Sequence, residues 1–223
     1  MEEFVMKSLT TVIRVLFLIL FLLLVWKGKM MLWLALFAVS LGLALFFGRV
    51  YCGYVCPMHT LMIPAEKIGR RLNLQTSVHP KWLDSGVYSW VALIASVAMM
   101  LFARKVLQIN LPILLIWLVA SILITLRYKQ VVFHNLICPF GALQRVFGKF
   151  AISSHWVNET QCIGCRLCEK VCPSEAIVVG ADDRKATIDR SLCLQCHNCQ
   201  QVCPKDTISY TKVSASNSAK GLG

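Results

Sequence analysis

The sequence predicts an α-helical membrane protein of four transmembrane helices, arranged as two repeated hairpins, with a small α+β domain at its C-terminal end. Three observations lead there. Four apolar runs of spanning length fill residues 1–150, eight cysteines fall in a doubled pattern between residues 162 and 203, and a fainter motif recurs after each pair of apolar runs. Of the 223 residues, 57% are hydrophobic and only 15% charged, against roughly 25% charged in a soluble domain. The chain divides accordingly into a membrane domain over 1–150, a cysteine-rich soluble module over 151–212 and a flexible tail over 213–223.

The apolar runs cover residues 8–26, 30–47, 87–103 and 109–126, each within the roughly 17–25 residues a spanning helix needs. The first contains Arg14 near its N-terminal end, from where a long side chain can reach the headgroups. It begins after Glu2 and Glu3 and ends in Val25-Trp26-Lys27 with no small-residue cleavage site, so it reads as a span and not as a cleaved signal peptide. Trp26, Trp33, Trp82, Trp90 and Trp117 suit membrane-belt or packing positions.

Net charge is +12, yet residues 160–212 hold seven basic against six acidic residues, so the excess lies beside the apolar runs. The short links carry four basic residues: Lys27, Lys29, Arg104 and Lys105. The N-terminus, the 49–86 loop and the 127–149 segment carry ten, among them Arg49, Arg70 and Arg71. Excess Lys and Arg stay on the cytoplasmic side. The expected location is the inner (cytoplasmic) membrane, multi-pass, with both termini cytoplasmic and membrane lipid as a partner. The same distribution argues against nucleic-acid binding.

The cysteine pattern is C-x2-C-x2-C-x3-C-P, present twice with an offset of 31: Cys162, Cys165, Cys168, Cys172, Pro173, then Cys193, Cys196, Cys199, Cys203, Pro204. Zinc sites pair two cysteines and then leave a gap, and disulfides do not impose this triplet spacing. It is the run by which a bacterial-type ferredoxin holds two 4Fe–4S clusters, the fourth Cys of each run ligating the other run's cluster. The expected ligand sets are Cys162, Cys165, Cys168 and Cys203 for cluster 1, and Cys193, Cys196, Cys199 and Cys172 for cluster 2. A reducing cytoplasm keeps such thiols free for metal. His197, between Cys196 and Cys199, is expected to shield a cluster or bond near it.

The fainter motif places Cys52-Gly53-Tyr54-Val55-Cys56-Pro57 after the second run and His134-Asn135-Leu136-Ile137-Cys138-Pro139 after the fourth. A shift of 82 superposes Cys56 on Cys138, Pro57 on Pro139 and Cys52 on His134. Two hairpins ending alike form a parallel repeat about an axis along the membrane normal. Cys52 and Cys56, at i and i+4, share a face if the segment is helical, and each proline should break the helix just after its cysteine. Cys52, Cys56, Cys138 and His134 are therefore candidate ligands of a third metal or iron–sulfur centre. His59 and His79, in the 49–86 loop, are candidates for proton exchange with a quinone headgroup, the alternative being ordinary exposed histidines. No Walker loop, dinucleotide fingerprint, nucleophile elbow or haem-spaced His pair is present, so nothing suggests hydrolytic chemistry.

On these two Cys-Pro motifs and the order of parts, the chain resembles the NapH-type membrane iron–sulfur quinol dehydrogenase subunits, related to the membrane parts of NosR-type and CcoG-type proteins. The resemblance covers residues 8 to about 210. It implies electron transfer between a quinone pool and a redox partner subunit, without fixing a catalytic residue. His134 departs from the family pattern, where a Cys is usual, and no extracytoplasmic flavin domain is present. The competing expectations are a CcoG-like metal-reducing assembly factor, working on copper during oxidase maturation with Cys52 and Cys56 as a thiol pair, and a membrane anchor for a soluble oxidoreductase.

Overall fold

A computed structural model describes residues 2–76, 83, 85–106, 108 and 112–212, with side chains from residue 8 onward. His79, Trp82, residues 109–111 of the fourth apolar run and the 213–223 tail lie outside the described residues.

The apolar runs form helices α1 (Glu2–Trp26), α2 (Met30–Phe47), α4 (Val87–Lys105) and α5 (Ile113–Arg127). Three of them, at 8–26, 30–47 and 87–105, are long and apolar enough to cross a membrane, and only 6%, 22% and 11% of their residues are buried within the protein. Helices apolar all round and left uncovered need a nonaqueous solvent. Trp26, 88% exposed at the end of α1, suits the headgroup level. The fourth helix is shorter than expected. It starts only after Pro112, and its 15 residues extend about 22 Å against a hydrocarbon core of about 30 Å. The described residues therefore contain three helices of spanning length, not four.

The chain falls into two compact units, one of residues 1–13, 36–55 and 144–223, the other of 14–35 and 56–143. In the second unit α3 (Pro57–Arg71) packs on α5, which the one-turn α6 (Gln130–Val132) follows. Gly69 permits this approach, since a Cβ there would meet the Leu126 carbonyl oxygen at 2.6 Å. Arg127 ties the chain after α3 by donating to the Leu74 carbonyl at 2.9 Å and to the Thr76 hydroxyl, and Trp117 donates to Ser96 Oγ at 2.9 Å, joining α5 to α4. Phe21 and Trp33, both buried, meet edge to face with centroids 5.1 Å apart.

The first unit holds the cysteine-rich module. Strand β1 (Ser153–Val157) pairs antiparallel with β4 (Ile208–Lys212), and β2 (Ile177–Val179) with β3 (Ala186–Ile188). Short helices α8 (Leu167–Val171) and α9 (Asn198–Gln201) carry the third cysteine of each run. The core between them is Val157, Ile177, Val179, Ala186 and Ile208, with Cys168 and Cys199 among them. So small a core gains only about 1.5–3 kcal/mol per large apolar side chain, and groups bound at the cysteines would supply much of its stability. The end of α2 belongs to the same unit. The Ile152 amide donates to the Leu45 carbonyl at 2.9 Å, and the Tyr210 hydroxyl donates to the Phe47 carbonyl at 3.2 Å. The module is thus pinned to this helix end by the residue before its first strand and by its last strand.

Candidate metal centres

Each cysteine run winds into a loop through left-handed residues, and these recur at the sequence offset of 31. Gly164 (φ +68), Arg166 (+60) and Glu175 (+49) correspond to Gln195 (+56), His197 (+60) and Asp206 (+47). Arg166 and His197 are the caps that start α8 and α9. The chain then turns at Cys172, held extended (ψ 112) by the following Pro173, as the ring of a proline demands of the residue before it. This turn carries the fourth cysteine away from its own run. A cavity results that is lined by Cys162, Cys165, Cys168 and Cys203, with Ile163 and Val157 on its walls. In the other loop Cys193 stands in the electrostatic field of Cys196, Cys199 and Cys172. The first expected set thus lines one cavity. Among the described residues no three His, Cys, Asp or Glu side chains converge on a point that could hold a single metal ion; a cubane, whose ligands stand at its separate corners, makes no such demand.

The donors suit a cluster chemically as well. The Ala176 amide donates to Cys172 Sγ at 3.2 Å, and Cys203 Sγ lies 3.3 Å from the Thr207 hydroxyl, contacts of the kind that set cluster potential. Burial raises the Cys168 thiol, pushes Cys199 up to about 12 and holds Cys193 well above the usual thiol range. For Cys203 burial also acts upward, but hydrogen bonds from Thr207 and backbone amides bring it below that range. The raised thiols stay protonated without metal, so ligation there releases protons.

The second loop is braced by side chains that the spacing did not announce. Buried Gln195 adopts a left-handed backbone that is uncommon for a residue with a Cβ. Its side chain anchors it to β1: Oε1 accepts from the His155 amide at 3.3 Å and lies 2.8 Å from His155 Nδ1, while Nε2 donates to Ser154 Oγ at 3.0 Å. His155 Nε2 lies 3.0 Å from His197 Nδ1, which in turn is 3.1 Å from Gln200 Oε1. Burial lowers the His155 pKa to about 4, and the neighbouring His197 acts in the same sense. His197 is thus part of a hydrogen-bonded row beside the second loop.

The fainter repeat proves to be a backbone repeat. Tyr51–Val55 and Phe133–Ile137 are both single π-helical turns. Cys56 (φ −66, ψ 117) and Cys138 (φ −62, ψ 116) are both extended, and Pro57 and Pro139 both open a helix, α3 and α7 (Pro139–Lys149). Proline at the first helical position and an extended residue before it follow from ring geometry. The α-helical i, i+4 face expected for Cys52 and Cys56 is not formed, because the turn is π and Cys56 lies beyond it. Cys52 belongs to the first compact unit; Cys56, His134 and Cys138 belong to the second. All four are buried, and Cys138 Sγ accepts from the Gly141 amide at 3.3 Å.

One histidine expectation and one arginine expectation change. His59 is not an exposed loop residue but 2% exposed, and its Nδ1 lies 2.9 Å from Nε2 of equally buried His134. One ring must donate and the other accept. Arg49, counted among the loop cations, is fully buried. Its Nη1 donates to the carbonyls of Ser191 (3.2 Å) and Leu192 (3.3 Å), and its Nη2 lies 3.8 Å from Cys52 Sγ. The sequence clue to Arg49 was its position, Gly48-Arg49 directly after a span and before Tyr51-Cys52, but basic residues there are also expected from topology alone.

These features define an iron–sulfur-binding protein, and comparison with known proteins agrees. Residues 161–207 match the 4Fe-4S dicluster domain family. Residues 30–75 and 110–157 each match the 4Fe-4S binding domain family, so the two repeat copies are recognised separately. The chain is also 28% identical over 157 residues to the uncharacterized protein MJ0749 of Methanocaldococcus jannaschii, covering 67% of this chain and 61% of that protein. The chain thus spans about three-fifths of that relative's length. No solved structure matches. The protein binds 4Fe–4S clusters.

Proposed function

We propose that this protein is a membrane-bound electron-transfer subunit, similar in role to NapH-type quinol dehydrogenase subunits, that passes electrons between a membrane quinone and a redox partner subunit. Cys162, Cys165, Cys168 and Cys203 hold one cluster, and Cys193, Cys196, Cys199 and Cys172 the other. When bound, each supplies one-electron transfer. The carrying observation is the cavity in which three cysteines of one run meet the fourth of the other, in a chain whose other half is uncovered apolar helix.

Cys56, His134 and Cys138, which share one compact unit, are the ligands of a third centre in this reading. Two observations support it: both motif copies match a 4Fe–4S binding domain, and both share one backbone form. His59 then orients His134 through Nε2, as the outer partners of metal-bound histidines do, and Nδ1 is the ligating atom. In this reading the fourth apolar run also crosses the membrane, and the charge asymmetry of the loops supports cytoplasmic termini in the inner membrane.

Anaerobic iron and sulfide quantification with redox-titrated EPR tests the reading. The two dicluster sites account for about eight iron atoms; a clear excess is expected, together with cluster reduction by a menaquinol analogue at a catalytically competent rate. Eight iron atoms, an inert quinol and stoichiometric copper reduction would instead establish the metal-reducing assembly factor.

A further inference from the structure

The π-turn of the first Cys-Pro motif is built directly against the loop of the second cysteine run. Residues 48, 49, 53 and 54 make the junction, all within one compact unit. Arg49 donates to the carbonyls of Ser191 and Leu192. The Tyr54 hydroxyl donates to the Gln195 carbonyl at 3.2 Å. Gly53 lies so close to the Leu194 carbonyl that a Cβ would drive into it, and Gly48, at φ +74, leaves room for the Gln195 side chain. Residues 191, 192, 194 and 195 of the loop, on both sides of Cys193, are therefore held by residues 48–54.

Arg49 is the unusual member. It is fully buried, yet among the described residues it has no carboxylate partner, and its Nε has no hydrogen-bond partner. An isolated buried cation is costly, and three contacts to neutral carbonyls and one sulfur do not neutralise it. Its side-chain contacts are to the backbone leading into Cys193 and to the Cys52 sulfur, which places it between two sites that take negative charge when they ligate metal. Four thiolates outweigh the positive core of a 4Fe–4S cluster, so the ligated loop is anionic.

We propose that Arg49 is the built-in counter-cation and positioning residue that couples the Cys193/Cys196/Cys199/Cys172 site to Cys52, with Gly53 and Tyr54 completing the clamp. The inference rests on the electron-transfer reading and adds an order to it: the second cysteine run, and not the first, adjoins the membrane-edge motif. A buried positive charge favours the more negative, reduced state of the cluster beside it and so raises its potential. The planar guanidinium fork reaches two carbonyls and one sulfur together, which an ammonium does less well.

The test is a dithionite-poised EPR titration of the full-length protein in detergent, with iron content measured on each sample. Cys165→Ser marks which signal belongs to the first site. Arg49→Gln should lower the midpoint of the second site by about tenfold in the one-electron equilibrium, or about 59 mV, with the first site unmoved. Arg49→Lys, which keeps the charge, should recover most of the shift. An unmoved second midpoint in Arg49→Gln at full iron content overturns the clamp while leaving the electron-transfer reading intact; fewer than eight iron atoms in the unmutated protein overturns that reading first. Should Arg49→Gln lose its cluster, Tyr54→Phe decides: a smaller shift of the second midpoint alone supports the clamp, and no shift or an equal shift of both refutes it.

Discussion

The two cysteine runs share one spacing and one set of left-handed backbone positions, yet they occupy opposite environments. In the first, Cys165 is exposed and Ile163 is 54% exposed at the rim of the cavity. In the second, Cys193, Cys196 and Cys199 are all buried, Leu194 is 1% exposed, and the loop is pressed on by Gly48, Arg49, Gly53 and Tyr54. The covalent pattern decides that each loop can take a cluster. What lies over it decides whether that cluster faces the surroundings or the rest of the protein. The first site is open to its surroundings, and the second is closed over by residues 48–54.

Four changes would break or sharpen that contrast. The largest effect is expected from Cys193→Ser, which should remove about four iron atoms and loosen the whole module, whereas Cys165→Ser at the open rim should alter an EPR signal and keep the fold; iron analysis and circular dichroism read both. Next comes acid. His155 has a folded pKa of about 4 against 6.5 when unperturbed, so the unfolded chain binds the extra proton between these values. The His155 contribution is constant above pH 6.5, and stability from this group falls as pH drops from 6.5 to 4, by up to about 3 kcal/mol. Melting of the detergent-solubilised protein at pH 7.5 and 5 should show this loss, and His155→Gln should reduce it. Gly53→Ala should cost about 1–3 kcal/mol by overpacking and perturb the second site's EPR signal while leaving the first site's unchanged. Gly42→Ala, with nothing within 4 Å of its added Cβ, should melt like the unmutated protein. The smallest effect belongs to Lys185, which donates to the Cys162 carbonyl at the open site; Lys185→Met should cost about 1 kcal/mol and leave the second site's spectrum untouched.

The two copies of the fainter motif teach a related lesson. Cys-Pro in both, and again at Cys172-Pro173, produces an extended cysteine followed by a new helix or turn, because proline excludes the α conformation from the residue before it. That much was legible in the sequence. The π-turn preceding Cys56 and Cys138 was not, since it depends on one inserted hydrogen-bond register, such as the 2.8 Å bond from the Cys138 amide to the Phe133 carbonyl, and not on residue type. His59 reads as a loop histidine in the sequence. It becomes a buried partner of His134 only because α3 folds back onto the second motif's unit.

Sequence by itself determined the chemistry: the doubled run of eight cysteines, the apolar helices and the second Cys-Pro repeat all report local constraints, set by ligand spacing, hydropathy and proline geometry. It also overstated the length of the fourth helix, since an apolar run does not reveal where a helix begins to close its hydrogen bonds. Tertiary structure alone decided which cysteine site is covered, that residues 36–55 share a compact unit with the cysteine-rich module, and that Arg49 is buried between a cluster loop and Cys52. The reason is that burial, close approach and counter-charge depend on residues some 140 positions apart in the chain, such as Arg49 and Ser191, and no local pattern encodes their meeting.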